Sequence, residues 1–119
     1  MTLSDKQAAF FQALVAFVAT YDQLVFDGAR FRFRLDYARR SREENERIGG
    51  HPNSTHLHRL AVDLILDWSD DGERNWHLVE DGDHPVWRYL HGHWESRFGG
   101  APMIPGDAGH FSFEHEGVR

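Results

Sequence analysis

The chain has 119 residues, 40% of them apolar and 27% charged, which fits one globular domain, residues 1–119, rather than a disordered segment. A formal charge of −6 with no long basic run argues against a nucleic-acid partner. With no cysteine, disulfides and thiolate metal sites are excluded, so any metal must take nitrogen and oxygen ligands, for which nine histidines are present.

In chain order, Ser4 or Asp5 is expected to cap a helix running to about residues 21–24. Phe10, Leu14, Phe17 and Tyr21, with Phe11, Val15 and Val18, form its broad apolar stripe, read as core packing. Asp27-Gly28 signals a turn. The alternation of Arg30, Arg32 and Arg34 with Phe31, Phe33 and Leu35 then predicts a strand over 31–37 with one wet face. Residues 41–47 are charged and read as a short helix ended by Gly49-Gly50, and residues 51–55 read as a loop.

Residues 60–68 read as a buried strand, 69–74 as a charged loop, and 76–79 as a further short segment. Residues 83–98 predict a second long helix with Pro85 in its first turn, weakened by Gly92 and ended by Gly99-Gly100. A last strand is expected at 110–114. Helices and strands mixed without regular alternation favour an α+β fold, a small antiparallel sheet with helices packed against it. The N-terminus shows no signal-peptide pattern and no apolar stretch is long enough to span a bilayer. The expectation is cytoplasmic synthesis, no membrane insertion, and a monomer.

Asp63 stands among Ala61, Val62, Leu64, Ile65 and Leu66, where an uncompensated carboxylate would cost about several kcal/mol. A salt bridge to an arginine, the capping of a loop, or a cation would each compensate it. His56 precedes it by seven residues, and the Asp107-x-x-His110 pair offers a second imidazole with a carboxylate nearby. One carboxylate and two imidazoles leave an open position on a tetrahedral ion, as hydrolytic zinc sites require.

Ser54-x-His56-x-x-x-x-Ala61-x-Asp63 followed by Asp107-x-x-His110 resembles the zinc peptidases of bacterial cell walls. That family includes D-alanyl-D-alanine carboxypeptidases and phage L-alanyl-D-glutamate endolysins, and shares its fold with the Hedgehog signalling domain. Upstream, Arg40-Ser41-Arg42-Glu43-Glu44-Asn45, Ile48-Gly49-Gly50 and Pro52-Asn53-Ser54 are similar to one branch of it. The resemblance covers about half the chain. It implies His56, Asp63 and His110 as ligands of Zn2+, Asp107 as the catalytic acid/base, and Arg40 as the oxyanion-stabilising arginine. Ser54 would support the ligands or face substrate. Arg59 stands where the family usually has Gly, which implies a different backbone path or an altered edge to the groove.

The activity so implied is hydrolysis of an amide bond in peptidoglycan stem peptides, in a phage or prophage endolysin released to the wall by a holin. A non-catalytic zinc-bearing binding module and a phage structural protein of the same fold are the alternatives. Other readings remain open from the residues alone. His56 and His58 can form a His-x-His pair, while His91 and His93 read as surface or groove residues. Arg39 rivals Arg40. Trp87 and Trp94, seven apart, suggest core packing, yet Trp94 is also expected to border the cleft and bind substrate. Phe111 and Phe113 are expected to bury a strand beneath the site.

Overall fold

The computed structural model describes residues 1–37, 55 and 58–119. Arg40, Ser54, His56 and the helix expected at 41–47 lie outside the described residues. The described elements are α1 (Leu3–Tyr21), β1 (Val25–Phe26), β2 (Ala29–Tyr37), β3 (Ala61–Ser69), β4 (His77–Leu78), α2 (Pro85–Phe98) and β5 (His110–Ser112). Together they make a small α+β domain with an antiparallel sheet and two helices. No helix among the described residues is long and apolar enough to cross a membrane.

Helix α1 starts earlier than the sequence suggests, because Thr2 and not Ser4 is its cap. The Thr2 hydroxyl accepts from the Asp5 N–H at 3.1 Å, and the Asp5 carboxylate accepts from the Thr2 N–H at 3.2 Å. This reciprocal box satisfies two otherwise orphaned donors. The Thr2 hydroxyl, which also donates to the Asp5 carboxylate at 2.9 Å, and then the Thr2 N–H hold the Asp5 carboxyl below its ordinary value. From the apolar stripe, Phe10, Phe17 and Tyr21 are buried, whereas Phe11 and Val15 stay exposed.

The Asp27-Gly28 turn is a tight hairpin joining β1 to β2, with Phe26 opposite Ala29. Both turn residues have positive φ, 50° and 80°, the mirror-image geometry that matches the twist of the flanking strands. Strand β3 is the centre of the sheet: β2 lies on one edge, while β4 and β5 share the other. Register fixes the faces. Phe31 pairs with Trp68 and Phe33 with Leu66, and Phe111 pairs with Val62. These side chains meet the helices, where Phe17 contacts Phe33, Trp94, Phe98 and Phe111 at centroid separations of 5.2–5.7 Å. Aromatic pairs at such separations each contribute about 0.5–1.5 kcal/mol beyond the area they bury.

Helix α2 begins at Pro85, with the His84 ring accepting from the Val86 N–H at 3.0 Å. It runs through Gly92 unbroken, its buried face of Val86, Trp87, Leu90, His91 and Trp94 outweighing one weak residue. Gly99 ends it in the left-handed region. Gly100 then packs so closely on the Trp94 ring that an added Cβ would lie 2.0 Å from Nε1. Strand β5 is shorter than expected, although the Phe113 N–H still reaches the Leu60 carbonyl at 2.9 Å.

Candidate metal centre

The sheet has a second face, which neither helix covers. Because paired residues point to one side and alternate residues along a strand share it, this face carries Arg30, Arg32 and Arg34 of β2. It also carries Asp63, Ile65, Asp67 and Ser69 of β3, and His110 of β5. Asp63 and His110 are direct cross-strand partners. Asp63 is half-buried rather than buried, since its alternation in β3 turns it away from the apolar core.

Asp107 is delivered by a tight turn. Its N–H donates to the Ile104 carbonyl at 3.0 Å, and its own carbonyl accepts from the His110 N–H at 3.1 Å. The three-residue spacing thus folds the carboxylate back beside the imidazole. His110 Nδ1 lies 3.4 Å from Asp63 Oδ1 and 3.9 Å from Asp107 Oδ2. One ligand atom from each residue lies within 4.8 Å of the other two, so Asp63, Asp107 and His110 can hold a metal ion.

The donor set fits a divalent cation. Two atoms about 2.1 Å from a tetrahedral ion are separated by about 3.4 Å, which is the Asp63–His110 separation. Two carboxylates drawn to one imidazole repel each other by about 1–4 kcal/mol at this range, and a cation reverses that sign. Asp63 and His110 are more enclosed, with side chains 27% and 5% exposed, while Asp107 is 56% exposed. That gradient suits two anchoring donors and one carboxylate open to solvent.

Three further residues support the site from a distance in sequence. Thr55 is fully buried, and its Oγ1 lies 3.5 Å from His110 Nε2, on the side of the ring away from the acids. That contact lies at the ring nitrogen opposite the one facing the acids, where an outer partner orients an imidazole ligand. Gly109 lets the Asp107–His110 turn close onto β3. The Leu64 N–H donates to the Gly109 carbonyl at 2.8 Å, and a Cβ at Gly109 would lie 2.5 Å from the Leu64 carbonyl oxygen. Only the Gly-His dipeptide hinted at this.

The third is His91, which is not a surface or groove residue. It is 4% exposed, stacked on Phe111 at 4.0 Å and 5°, and its Nε2–H donates to the Ala108 carbonyl at 2.6 Å. It faces inward because the buried face of α2 includes position 91. Burial lowers its pKa, favouring the neutral ring that this single bond suits. It ties the turn between Asp107 and His110 to the core. His93 instead lies half-buried against Tyr21 and Tyr89.

Trp94 is corrected as well. It has no exposed surface, its indole donates to the Ser112 carbonyl at 3.0 Å, and it presents nothing to a substrate. The same helix face that buries Trp87 claims it for the core. Phe111 is buried beneath the site as expected, with Phe113 half-buried.

Arg59 has φ +58°, in the left-handed region that favours glycine. Around it the His58 and Leu60 N–H groups both donate to the Thr55 carbonyl, at 3.2 and 2.9 Å. The left-handed residue is what lets the chain turn back from Thr55 into β3. No family model, curated protein or solved structure matches this chain.

Proposed function

We propose that the chain is a zinc-dependent peptidase with a Hedgehog-like fold, hydrolysing an amide bond in peptidoglycan stem peptides. The observation that carries the reading is the convergence of Asp63, His110 and Asp107 on the sheet face opposite α1 and α2. The Ser54, His56, Ala61, Asp63 and Asp107-x-x-His110 spacing supports the same chemistry from the sequence.

In this reading Asp63 and His110, with His56, hold the ion, and Arg40 steadies the carbonyl oxygen. Zinc, when bound, acidifies a water and polarises the scissile carbonyl. Asp107 Oδ2, beside His110 yet open to solvent, accepts the proton of the attacking water and returns it to the leaving nitrogen. Thr55 and His91 keep the imidazole and the Asp107 turn in place, so no reorganisation is needed at the moment of reaction. The exposed carboxylate favours catalysis over a zinc-bearing binding module, which needs no proton carrier. Release by a holin as a phage or prophage endolysin is the setting this activity suits.

Purified cell wall, incubated with the zinc-loaded protein, is expected to gain free amine termini. A chelator abolishes them, and mass spectrometry of the released muropeptides identifies the bond. Asp107→Ala retains zinc and loses turnover, which a binding module would not show. Intact muropeptides in the zinc-loaded sample would overturn the reading.

A further inference from the structure

The sheet face opposite α1 and α2 carries a second cluster. Arg32 and Arg34 of β2 both reach Asp67 of β3, which is 3% exposed beneath them. Arg34 is committed: its Nε and one terminal nitrogen donate to the two Asp67 oxygens at 2.8 and 2.9 Å, and Asp36 adds a further negative charge beside it. Arg32 uses only Nε, at 2.9 Å to Asp67 Oδ2. Its guanidinium carbon lies 4.4 Å from the centroid of the Trp76 ring. Its two terminal nitrogens make no hydrogen bond among the described residues, and the side chain is 36% exposed.

Two guanidinium groups meet Asp67 and Asp36 here, so the patch carries no net excess of charge, and what it offers is the unused donor fork of Arg32. We infer that Arg32, held flat by Trp76 and Asp67, is a binding subsite for a substrate carboxylate remote from the scissile bond. A guanidinium with both terminal nitrogens unused pairs with a carboxylate through two parallel bonds. The indole platform and the Asp67 bond fix its plane beforehand, so less side-chain freedom is lost on binding.

Position supplies the link to the reaction. Asp67 lies four residues along β3 from Asp63 on the same face, about 13 Å away. An extended peptide covers that distance in about four residues. Stem peptides are of that length and carry carboxylates beyond each candidate bond. The inference rests on the peptidase reading for its substrate, and on the sheet register for its place.

The test separates the two. A synthetic stem pentapeptide, L-Ala-γ-D-Glu-L-Lys-D-Ala-D-Ala, and the same peptide with its carboxylates amidated, are titrated calorimetrically into the zinc-loaded Asp107→Asn chain. Binding is thereby read without turnover. Adding Arg32→Gln is expected to weaken the free-acid peptide about tenfold and leave the amidated peptide, already weak, unchanged. Arg32→Lys keeps part of the affinity. Arg34→Gln removes more of the Asp67 pairing, two bonds against one, and leaves affinity within about twofold, which separates recognition from stability. Equal losses in both arginine variants, equal losses for both peptides, or no binding of the free-acid peptide would overturn the subsite. Cleavage by the wild-type chain is scored separately. A chain that cuts both peptides equally well loses the subsite and keeps the peptidase. A chain that binds the acid peptide through Arg32 and cuts neither loses the peptidase and keeps the subsite.

Discussion

Asp63 and His110 face each other across the β3–β5 pairing, with Oδ1 3.4 Å from Nδ1. Forty-odd residues of chain separate them, and one antiparallel register brings them together. The site is therefore as rigid as that pairing, and residues that seat β5 on β3 govern it.

Gly109 is the strictest of these. A Cβ would meet the Leu64 carbonyl oxygen at 2.5 Å, and that oxygen is backbone in the central strand. Gly109→Ala must lift the turn away and break the 2.8 Å bond from the Leu64 N–H. The expected outcome is a loss of about 2 kcal/mol in urea unfolding. Zinc affinity by calorimetry falls about tenfold or more, because Asp107 and His110 ride on the displaced segment.

His91→Phe keeps a ring stacked on Phe111 and removes the bond to the Ala108 carbonyl. Losing a hydrogen bond at this half-buried carbonyl costs about 1 kcal/mol. Thermal unfolding should fall accordingly, and the Asp107 turn, freed from α2, should gain faster amide exchange than the rest of β5. Unchanged exchange at residues 107–110 would remove His91 from its positioning role.

Arg59 predicts the opposite sign. Its φ of +58° costs a side-chain-bearing residue about 1 kcal/mol relative to glycine, even after glycine's greater freedom in the unfolded chain is counted. Arg59→Gly should raise Tm by about 4 °C. The turn from Thr55 into β3 keeps its path, so zinc affinity stays the same.

Asp67 sets an acid limit. The Arg34 hydrogen bond, then that of Arg32, hold its carboxyl below the ordinary value of 3.8, against the opposing effect of burial. The folded state thus prefers the ionised form. Stability from this group is complete above pH 3.8 and disappears as pH falls through the lowered value. Asp67→Asn is expected to cost about 1–2 kcal/mol at pH 7. Urea unfolding at descending pH should show the two chains converging only below the ordinary carboxylate range.

The elements set by local periodicity were legible in the sequence. The arginine–phenylalanine alternation, the Asp27-Gly28 turn, and Gly99 after α2 each carry their geometry in adjacent residues. Helix α1 was misplaced at its start because Ser4 and Asp5 both look like caps, and only the reciprocal bonds identify Thr2. Within the site, the resemblance pointed to Asp63, Asp107 and His110, and the fold brings these three within reach of one ion, with Asp107 among the possible donors and not only beside them. Thr55, His91 and Gly109 were not legible, since each acts across a long loop on a partner that sequence distance hides. Trp94 follows its core-packing reading and has no place at a cleft, whereas His91 is buried where a surface residue was expected. Val86, Trp87, Leu90 and Trp94 mark the buried side of α2 in the sequence, but a histidine on that side reads as polar until Phe111 and the Ala108 carbonyl arrive to enclose it.

The central claim is that distant side chains share one ion, and zinc calorimetry on the full chain tests it most directly. The wild-type protein should bind one equivalent, with Asp63→Ala and His110→Ala each weakening it by about a hundredfold or more and a distant Arg30→Gln leaving it unchanged. Failure of the wild-type chain to take up zinc, or equal uptake by all four proteins, would contradict it.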